Sequence, residues 1–166
     1  MKRLSVLGVF LIFFAYTFGQ TGIPKAQSMF IYNFSRLVEW PAGQKSGDFV
    51  IGVVGNSNVY SEIQTFTAGK KVGNQSITVK QFNDFEDVTP SHILFVSYSK
   101  SSKLEDALSG ISNGTLIITE KRNMLADGAV INFLIESDKL KFELDDANAQ
   151  KMGLKVSSSL QNMAVK

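Results

Sequence analysis

Hydrophobic residues along the chain recur at the spacing of amphipathic helices and, between them, in continuous runs typical of buried strands. The first helical pattern spans residues 24–39 and ends before Pro41. The apolar run Phe49–Val54 predicts a central strand. We expect a helix over residues 59–67 next, and then a half-buried or edge strand over residues 76–82, where apolar and polar residues alternate.

The following segments predict a βαβ unit and then a hairpin. Ile93–Val96 and residues 115–119 have the composition of buried parallel strands, and a helix is expected between them over residues 101–108. Residues 130–135 and Lys139–Leu144 flank a polar turn. That pattern indicates an antiparallel hairpin added to the same sheet.

The C-terminal region completes an α/β pattern. Helical patterns over residues 146–152 and 158–165 follow the hairpin. We therefore predict an α/β fold: a single-domain three-layer sandwich with a Rossmann-like mixed sheet, a C-terminal antiparallel hairpin and flanking helices. The domain is expected to cover residues 20–166, a usual size for one hydrophobic core.

The first 19 residues predict an exported protein. Lys2 and Arg3 precede an uncharged and mostly apolar stretch, and small residues near Gly19 are compatible with cleavage before Gln20. A membrane anchor is the alternative, but the stretch falls short of the roughly 20 apolar residues that span a bilayer. We therefore predict a signal peptide over residues 1–19 and a soluble, periplasmic domain after it.

Charge balance and the absence of cysteine exclude several classes of function. The chain has 17 basic and 15 acidic residues, and removal of Lys2 and Arg3 leaves 15 of each. A neutral domain has no excess positive charge with which to displace counterions from nucleic acid, so no nucleic-acid role is expected. Without Cys, the chain has no disulfide, no thiolate nucleophile and no Cys-based metal site. We expect neither a metal site nor a cofactor.

His92, the only histidine, opens an apolar strand. A histidine in such a place is more often a satisfied structural group than a catalytic base. No second His is available to complete a metal-ligand set with it. No nucleophile, base and orienting group can be assembled from the motifs, so a hydrolase is disfavoured and no catalytic residue is predicted.

Small residues follow two strands that are expected to be parallel. Gly55 and Ser57 come after the first of these strands, and Ser97 and Ser99 come after the second. The carboxyl ends of parallel strands meet at one edge of a sheet, where backbone N–H groups can bind an anion. These four residues are therefore a candidate ligand site, although ordinary helix capping gives the same pattern and is the simpler interpretation.

Residues placed at about 100° intervals divide the first helix into two faces. The inward face is predicted to hold Phe30, Asn33, Phe34 and Leu37, and the outward face Tyr32, Ser35 and Glu39. Tyr32 is then an aromatic residue on a polar face, with no packing role in a monomer. Because aromatic residues are frequent at binding hot spots, we predict a partner-binding ridge. It consists of Tyr32, Arg36, Glu39 and Trp40, with core packing as the alternative for Trp40.

Four sequence blocks are similar to the YfiR-like family and occur in the family's order. They are residues 32–41 (YNFSRLVEWP), 51–55 (IGVVG), 92–96 (HILFV) and 128–133 (GAVINF). Similar positions follow at Phe142, Glu143, Ala147, Ala149, Gly153, Leu154, Ser157 and Leu160. The resemblance covers nearly all of the predicted domain except residues 74–89, and its first and fourth blocks are quite specific.

The resemblance implies a periplasmic regulator without catalytic activity. Such a protein restrains an inner-membrane diguanylate cyclase by binding its periplasmic sensor region, and thereby limits cyclic-di-GMP output. The resemblance also implies sequestration by an outer-membrane lipoprotein and association as a homodimer. Two positions depart from the family pattern. Ser91 replaces a common cysteine, so disulfide-linked redox control does not transfer, and Asp145 replaces a common asparagine.

Two other functions stay open at the level of sequence. The membrane partner can equally be a sensor histidine kinase. The chain can also be a small-ligand sensor that uses the crevice after Val54 and Val96. Thermal stabilisation by a metabolite would distinguish this second class from a protein-binding regulator.

Overall fold

The computed structural model describes residues 22–165, so the predicted signal peptide lies outside the described residues. The strands of this range are β1 (Val38–Glu39), β2 (Phe49–Val54), β3 (Lys71–Val72), β4 (Gln75–Phe82), β5 (Ile93–Val96), β6 (Leu116–Thr119), β7 (Ile131–Glu136), β8 (Lys139–Leu144) and β9 (Lys155–Val156). The helices are α1 (Gly22–Leu37), α2 (Asn58–Thr67), α3 (Leu104–Ala107), α4 (Asp146–Lys151) and α5 (Ser158–Met163). Within residues 22–165, no helix combines the length and the apolar character needed to cross a membrane.

The main sheet is mixed, with strand order β3-β4-β2-β5-β6-β7-β8. The pairs from β4 to β7 are parallel, whereas β3 and β8 run antiparallel at the two edges. The hairpin β7–β8 turns through Ser137 and Asp138, whose φ angles are 49° and 59°. Two positive φ angles are what a two-residue type I′ turn requires. The parallel βαβ unit and the C-terminal hairpin are therefore confirmed.

Both faces of the sheet are covered, because the central strands are apolar on both sides. Ile51 and Phe95 point to the face that α1 covers with Ile31 and Phe34. The alternate residues of the same strands point to the other face and pack with Leu104 of α3. Continuous apolar runs are the expected sequence of strands buried on two sides. The single-domain α/β sandwich with three layers is confirmed.

The first helix and the helix of the βαβ unit differ from their predicted bounds. The first ends at Leu37 rather than residue 39, because Val38 and Glu39 form β1 and pair antiparallel with β9. The helix predicted over residues 101–108 is divided into a 3-10 turn, the four-residue α3 and a second 3-10 turn that ends at Gly110. Its first turn has no side-chain cap, and Ser101 Oγ donates instead to the Ser97 carbonyl at 3.0 Å. The poorly capped segment therefore makes only one regular helical turn.

The inward face of α1 was predicted wrongly at two positions. Asn33 is exposed and Ser35 is buried, because the buried stripe is centred on Ile31 and Phe34. Phe30 lies at the border of this stripe and contacts Phe133. Ser35 is accommodated inside because its hydroxyl donates to the Tyr32 carbonyl at 2.6 Å. A small, satisfied hydroxyl allows the helix to approach the sheet closely, which hydrophobic spacing alone does not reveal.

Candidate interaction surface

A surface groove lies where α1 ends and the small β1–β9 ribbon begins. Val38 pairs with Val156 and Glu39 with Lys155. The groove has a volume of about 630 Å³, and we call it the ribbon groove. Its lining residues include Arg36, Glu39, Trp40, Lys45, Lys155 and Ser159. The structure therefore brings three residues of the predicted ridge into one concave surface.

The charged groups of the ribbon groove are accessible. Glu39 and Lys155 approach to 3.9 Å, and their side chains are 61% and 79% exposed, so this ion pair is worth little. Arg36 and Lys45 are exposed and form no ion pair within the described part of the chain. Three cations and one carboxylate thus line the groove, which makes it attractive to a partner with a negative charge.

Trp40 forms the inner wall of the ribbon groove. It is 7% exposed, and its Nε1–H donates to the Ser35 carbonyl at 3.2 Å. Its indole packs edge-to-face on Phe49 at 5.2 Å between ring centroids. The alternative of core packing therefore describes most of this side chain, and a partner in the groove meets only its edge.

Tyr32 lies outside the ribbon groove, on the flank of α1 that faces α2. Its ring is half-buried and packs edge-to-face on Phe66 at 5.8 Å between centroids. The ammonium of Lys70 lies 5.1 Å from the Tyr32 centroid. The expectation that Tyr32 has no packing role in a monomer is therefore wrong. The predicted ridge is therefore divided: Tyr32 packs on α2, whereas Arg36, Glu39 and Trp40 line the ribbon groove.

Sequence reasoning missed Lys45 and the residues of β9. Lys155 reaches Glu39 only because β9 returns antiparallel to β1, with the Ser157 N–H donating to the Leu37 carbonyl at 3.0 Å. A two-residue strand carries no periodicity from which this pairing can be deduced. The family resemblance at Ser157 and Leu160 points to this region of the chain, but it does not indicate that β9 pairs with β1.

The predicted ligand residues meet at the carboxyl edge of β2 and β5, but their polar groups are hydrogen-bonded within the protein. The Gly55 N–H donates to the Phe82 carbonyl at 2.8 Å, and the Ser97 N–H donates to the Val54 carbonyl at 3.0 Å. Ser57 caps α2 by accepting from the Val59 N–H at 3.2 Å. The Ser97 and Ser99 hydroxyl oxygens are 3.2 Å apart. These contacts are those of the capping interpretation, and the ligand site stays a prediction.

His92 is a structural histidine in its contacts. It is 8% exposed, and its ring stacks on Phe49 at 4.3 Å between centroids. Nδ1 accepts a hydrogen bond from the Val50 N–H at 3.0 Å, so Nε2 carries the proton and donates to the Gln44 carbonyl at 2.8 Å. Both ring nitrogens are therefore engaged in holding a strand and a loop. Across residues 22–165, no group of three His, Asp or Glu side chains is arranged to hold a metal ion.

The opposite side of the molecule carries a tight charge cluster. Lys100 and Lys103 donate to one oxygen of Asp84 at 2.6 and 3.0 Å, and the other oxygen accepts from the Phe85 N–H at 3.0 Å. The hydrogen bond from Lys100, followed by that from Lys103, lowers the pKa of the Asp84 carboxyl far below its usual range. Because Asp84 and the two lysines pair with one another, they have fewer free charges for a binding partner than the ribbon groove has.

The two departures from the family pattern have simple structural explanations. Ser91 is buried, and its hydroxyl donates to the Thr89 carbonyl at 2.9 Å. Asp145 caps α4 by accepting from the Asn148 N–H at 2.9 Å. Asparagine caps a helix equally well, so the substitution at this position preserves the local structure.

A comparison with protein-family models matches residues 24–165 to the YfiR/HmsC-like family. A comparison with curated proteins gives no match. The family match spans α1 from Pro24 onward, the complete sheet and the ribbon groove. The chain therefore belongs to the YfiR/HmsC-like family.

Proposed function

We propose that the chain is a periplasmic regulatory binding protein that restrains an inner-membrane diguanylate cyclase and so limits cyclic-di-GMP signalling. It does so by binding the periplasmic region of the enzyme, without catalysing a reaction. An outer-membrane lipoprotein that sequesters the regulator is the proposed antagonist, and homodimerisation is part of the same proposal.

The observation that carries this proposal is the family match over residues 24–165. Two features of the structure support it. His92 is engaged through both ring nitrogens, which leaves it unsuited to proton transfer. The ribbon groove instead offers exposed charges beside the accessible edge of Trp40, which is held rigidly by its packing. A rigid aromatic group with charged residues around it is typical of a protein-binding surface.

The ribbon groove is the proposed contact with the cyclase. Arg36 and Lys45 both line it, and neither makes an ion pair within residues 22–165, so reversing their charge changes recognition without breaking the fold. Truncation of a hot-spot residue typically costs a complex more than about 1 kcal/mol. The double variant Arg36→Glu/Lys45→Glu should therefore lose restraint of the enzyme while it keeps its thermal midpoint.

The test measures cyclic-di-GMP in cells that produce the chain together with an inner-membrane diguanylate cyclase from the same genome. The parent chain should lower the cyclic-di-GMP level, and Arg36→Glu/Lys45→Glu should restore it. The matched control is Lys139→Glu/Lys151→Glu, which makes the same change in net charge at exposed positions outside the groove. If the parent chain restrains none of the cyclases, the proposed function is wrong. If the control relieves restraint equally, the ribbon groove is not the contact surface.

Export is a precondition of this function. Protein purified from a secreting host should begin at Gln20, as determined by intact mass and N-terminal sequencing. A full-length product in the cytoplasm would contradict the periplasmic role.

A further inference from the structure

The charges of the domain are separated between its two outer layers. The layer built by α1, α2, the ribbon and their connecting loops contains six basic and three acidic residues. The basic ones are Lys25, Arg36, Lys45, Lys70, Lys71 and Lys155, and the acidic ones are Glu39, Asp48 and Glu62. These segments of a domain that is neutral as a whole are therefore net positive.

The opposite layer has the reverse balance. Its segments 84–87 and 100–110 cover the other face of the sheet through Phe85, Leu104 and Leu108. Together with the segment 121–127, which packs on the same face through Met124, they carry six acidic residues and four basic ones. These are Asp84, Glu86, Asp87, Glu105, Asp106 and Asp127 against Lys100, Lys103, Lys121 and Arg122. Lys100 and Lys103 both bind Asp84. The free charge of this layer is therefore negative, and the domain has a dipole that points across the sheet.

The helix α1 forms the crest of the positive layer. It contains no Asp or Glu, and Lys25, Met29, Asn33 and Arg36 are exposed along one line of it. Lys25 and Arg36 are eleven positions apart, which separates them by about 16 Å along the helix axis. Between them Met29 is 44% exposed, although it is large and apolar.

The remaining cations lie on both flanks of this crest. Lys70 lies over the Tyr32 ring on the side of α2. Lys45 and Lys155 share the ribbon groove with Arg36. Lys25, Arg36 and Lys45 make no side-chain hydrogen bond or ion pair within residues 22–165. We call the set Lys25, Met29, Arg36, Lys45, Lys70 and Lys155 the basic face.

We propose that the basic face binds the surface of an anionic phospholipid bilayer. The cations are spread along the helix and its two flanks instead of being gathered around one point, which matches a surface of many phosphates better than a single anionic group. Most of them are lysines, which act as flexible point charges and need no preformed acceptor geometry. An exposed apolar side chain between cations is typical of helices that lie at a lipid interface.

The dipole gives this interaction an orientation. The acidic layer is repelled by the same negative surface that attracts the basic face, so the domain lies with α1 against the lipid. This arrangement leaves the carboxyl edge of the sheet and the hairpin β7–β8 accessible from the side. Because Arg36, Lys45 and Lys155 also line the ribbon groove, the bilayer and the cyclase compete for these three residues. The vesicle experiment contains no cyclase, so its outcome is separate from the test of the proposed function.

The test uses the processed chain and vesicles of stated composition. Sedimentation with phosphatidylglycerol vesicles in low salt should carry the chain to the pellet, and vesicles of phosphatidylcholine should not. Each Lys or Arg near an anionic surface strengthens binding by about five-fold, so Lys25→Glu/Arg36→Glu should weaken it at least about 25-fold. Raising the salt concentration should release the parent chain because the attraction is screened.

Matched controls distinguish this surface from a general effect of charge. Lys139→Glu/Lys151→Glu makes the same change in net charge and should bind vesicles like the parent chain. Met29→Gln should weaken binding less than the charge reversals do, and thermal midpoints should show that every variant folds. Equal binding to both lipids, equal loss in the control, or absence of binding to phosphatidylglycerol would overturn the proposal. Binding to soluble poly-L-glutamate but not to vesicles would also overturn it, and would assign the basic face to an acidic protein.

Discussion

The imidazole of His92 completes the hydrogen-bond ladder between β5 and β2 by pairing with Val50. The backbone N–H of Val50 donates to Nδ1 of the His92 ring at 3.0 Å, and the backbone N–H of His92 donates to the Val50 carbonyl at 2.9 Å. The regular pairing of the two strands begins one residue later, at Ile51 and Ile93. The His92 ring therefore takes the place of a backbone acceptor where the pairing of β2 with β5 starts. Its Nε2 bonds to the Gln44 carbonyl and so holds the loop at Gln44 to the sheet.

Replacement of His92 should test this structural role. His92→Ala leaves the Val50 N–H and the Gln44 carbonyl without their partner and removes a buried ring from Phe49. We expect the free energy of unfolding to fall by about 2–4 kcal/mol in urea titrations. Tyr98→Ala, at a position that is 64% exposed, should stay within about 0.5 kcal/mol of the parent. A His92→Ala variant as stable as Tyr98→Ala would contradict the structural role.

Two aromatic residues of α1 should differ clearly in their contribution to stability. Phe34 is fully buried and packs on Phe142 at 4.9 Å between centroids, so Phe34→Ala should cost about 3–5 kcal/mol. Tyr32→Ala removes the half-buried contacts of its ring with Phe66 and with the Lys70 ammonium, and should cost about 1 kcal/mol. Tyr32→Phe keeps both ring contacts and should remain close to the parent. Unfolding by urea measures all three variants, and similar losses for Phe34→Ala and Tyr32→Ala would refute the assignment of the buried face.

The central strands and α1 differ in how well the sequence predicts them. The strands Phe49–Val54 and Ile93–Val96 were predicted to the residue, because a strand buried on both faces is a continuous apolar run. The buried face of α1 was only partly predicted, since Asn33 and Ser35 exchange their expected places. Which residues at the border of a helix's buried stripe are covered depends on the elements packed beside the helix. The spacing of apolar residues does not identify these elements.

The candidate site was less predictable than the fold. Arg36, Glu39 and Trp40 were identified as a group, but the groove they line depends on a two-residue strand that returns near the end of the chain. The turns at Gly55 and Ser97 were correctly placed beside each other, because parallel strands end at one edge. Sequence could not show that their N–H groups bond to the Phe82 and Val54 carbonyls, since this depends on distances of a few tenths of an ångström.

The Asp84 cluster should make stability dependent on pH in the acidic range. The pKa of Asp84 is lowered in the folded chain, so its ionised form stabilises the fold above the ordinary carboxyl pKa of about 3.9. This contribution is lost progressively as the pH falls through that value and below it. The pKa of Glu136 is lowered by its hydrogen bond from Lys141, and it contributes in the same direction.

Asp84→Asn isolates the charge of this cluster. The amide oxygen can still accept from the Phe85 N–H, while the attraction for Lys100 and Lys103 is removed. The variant should be less stable than the parent at pH 7, and the difference should shrink as the pH is lowered toward 3. The difference in stability is measured from the urea midpoints of both chains at several pH values. A difference that is constant from pH 7 to pH 3 would show that the lysines do not stabilise the ionised carboxyl.

Because Gly55 lies against Ser97, we expect a side chain at position 55 to destabilise the fold more than one at Gly69, a turn without close neighbours. Gly55 has a φ of 88°, and a Cβ at this position would overlap Ser97 Oγ and lie 2.8 Å from Lys100 Cγ. Gly69 has a comparable φ of 71°, but nothing lies within 4 Å of its Cβ position. Gly69→Ala should therefore cost only the backbone strain of a left-handed residue, about 1–2 kcal/mol. Gly55→Ala carries the same strain and a collision, so it should cost at least about 1 kcal/mol more.

A double-mutant cycle separates the collision from the strain. Ser97→Gly removes the overlapping hydroxyl, so Gly55→Ala should be less costly in the Ser97→Gly background than in the parent chain, whereas the cost of Gly69→Ala should be the same in both backgrounds. Unfolding free energies of the six chains give the two coupling terms. A favourable coupling at Gly55 alone shows that the crevice between β2 and β5 is filled by the protein's own side chains, which argues against a ligand there. If Gly55→Ala is no worse than Gly69→Ala in the parent chain, the two turns are not in close contact, and the crevice is open enough to admit a small anion.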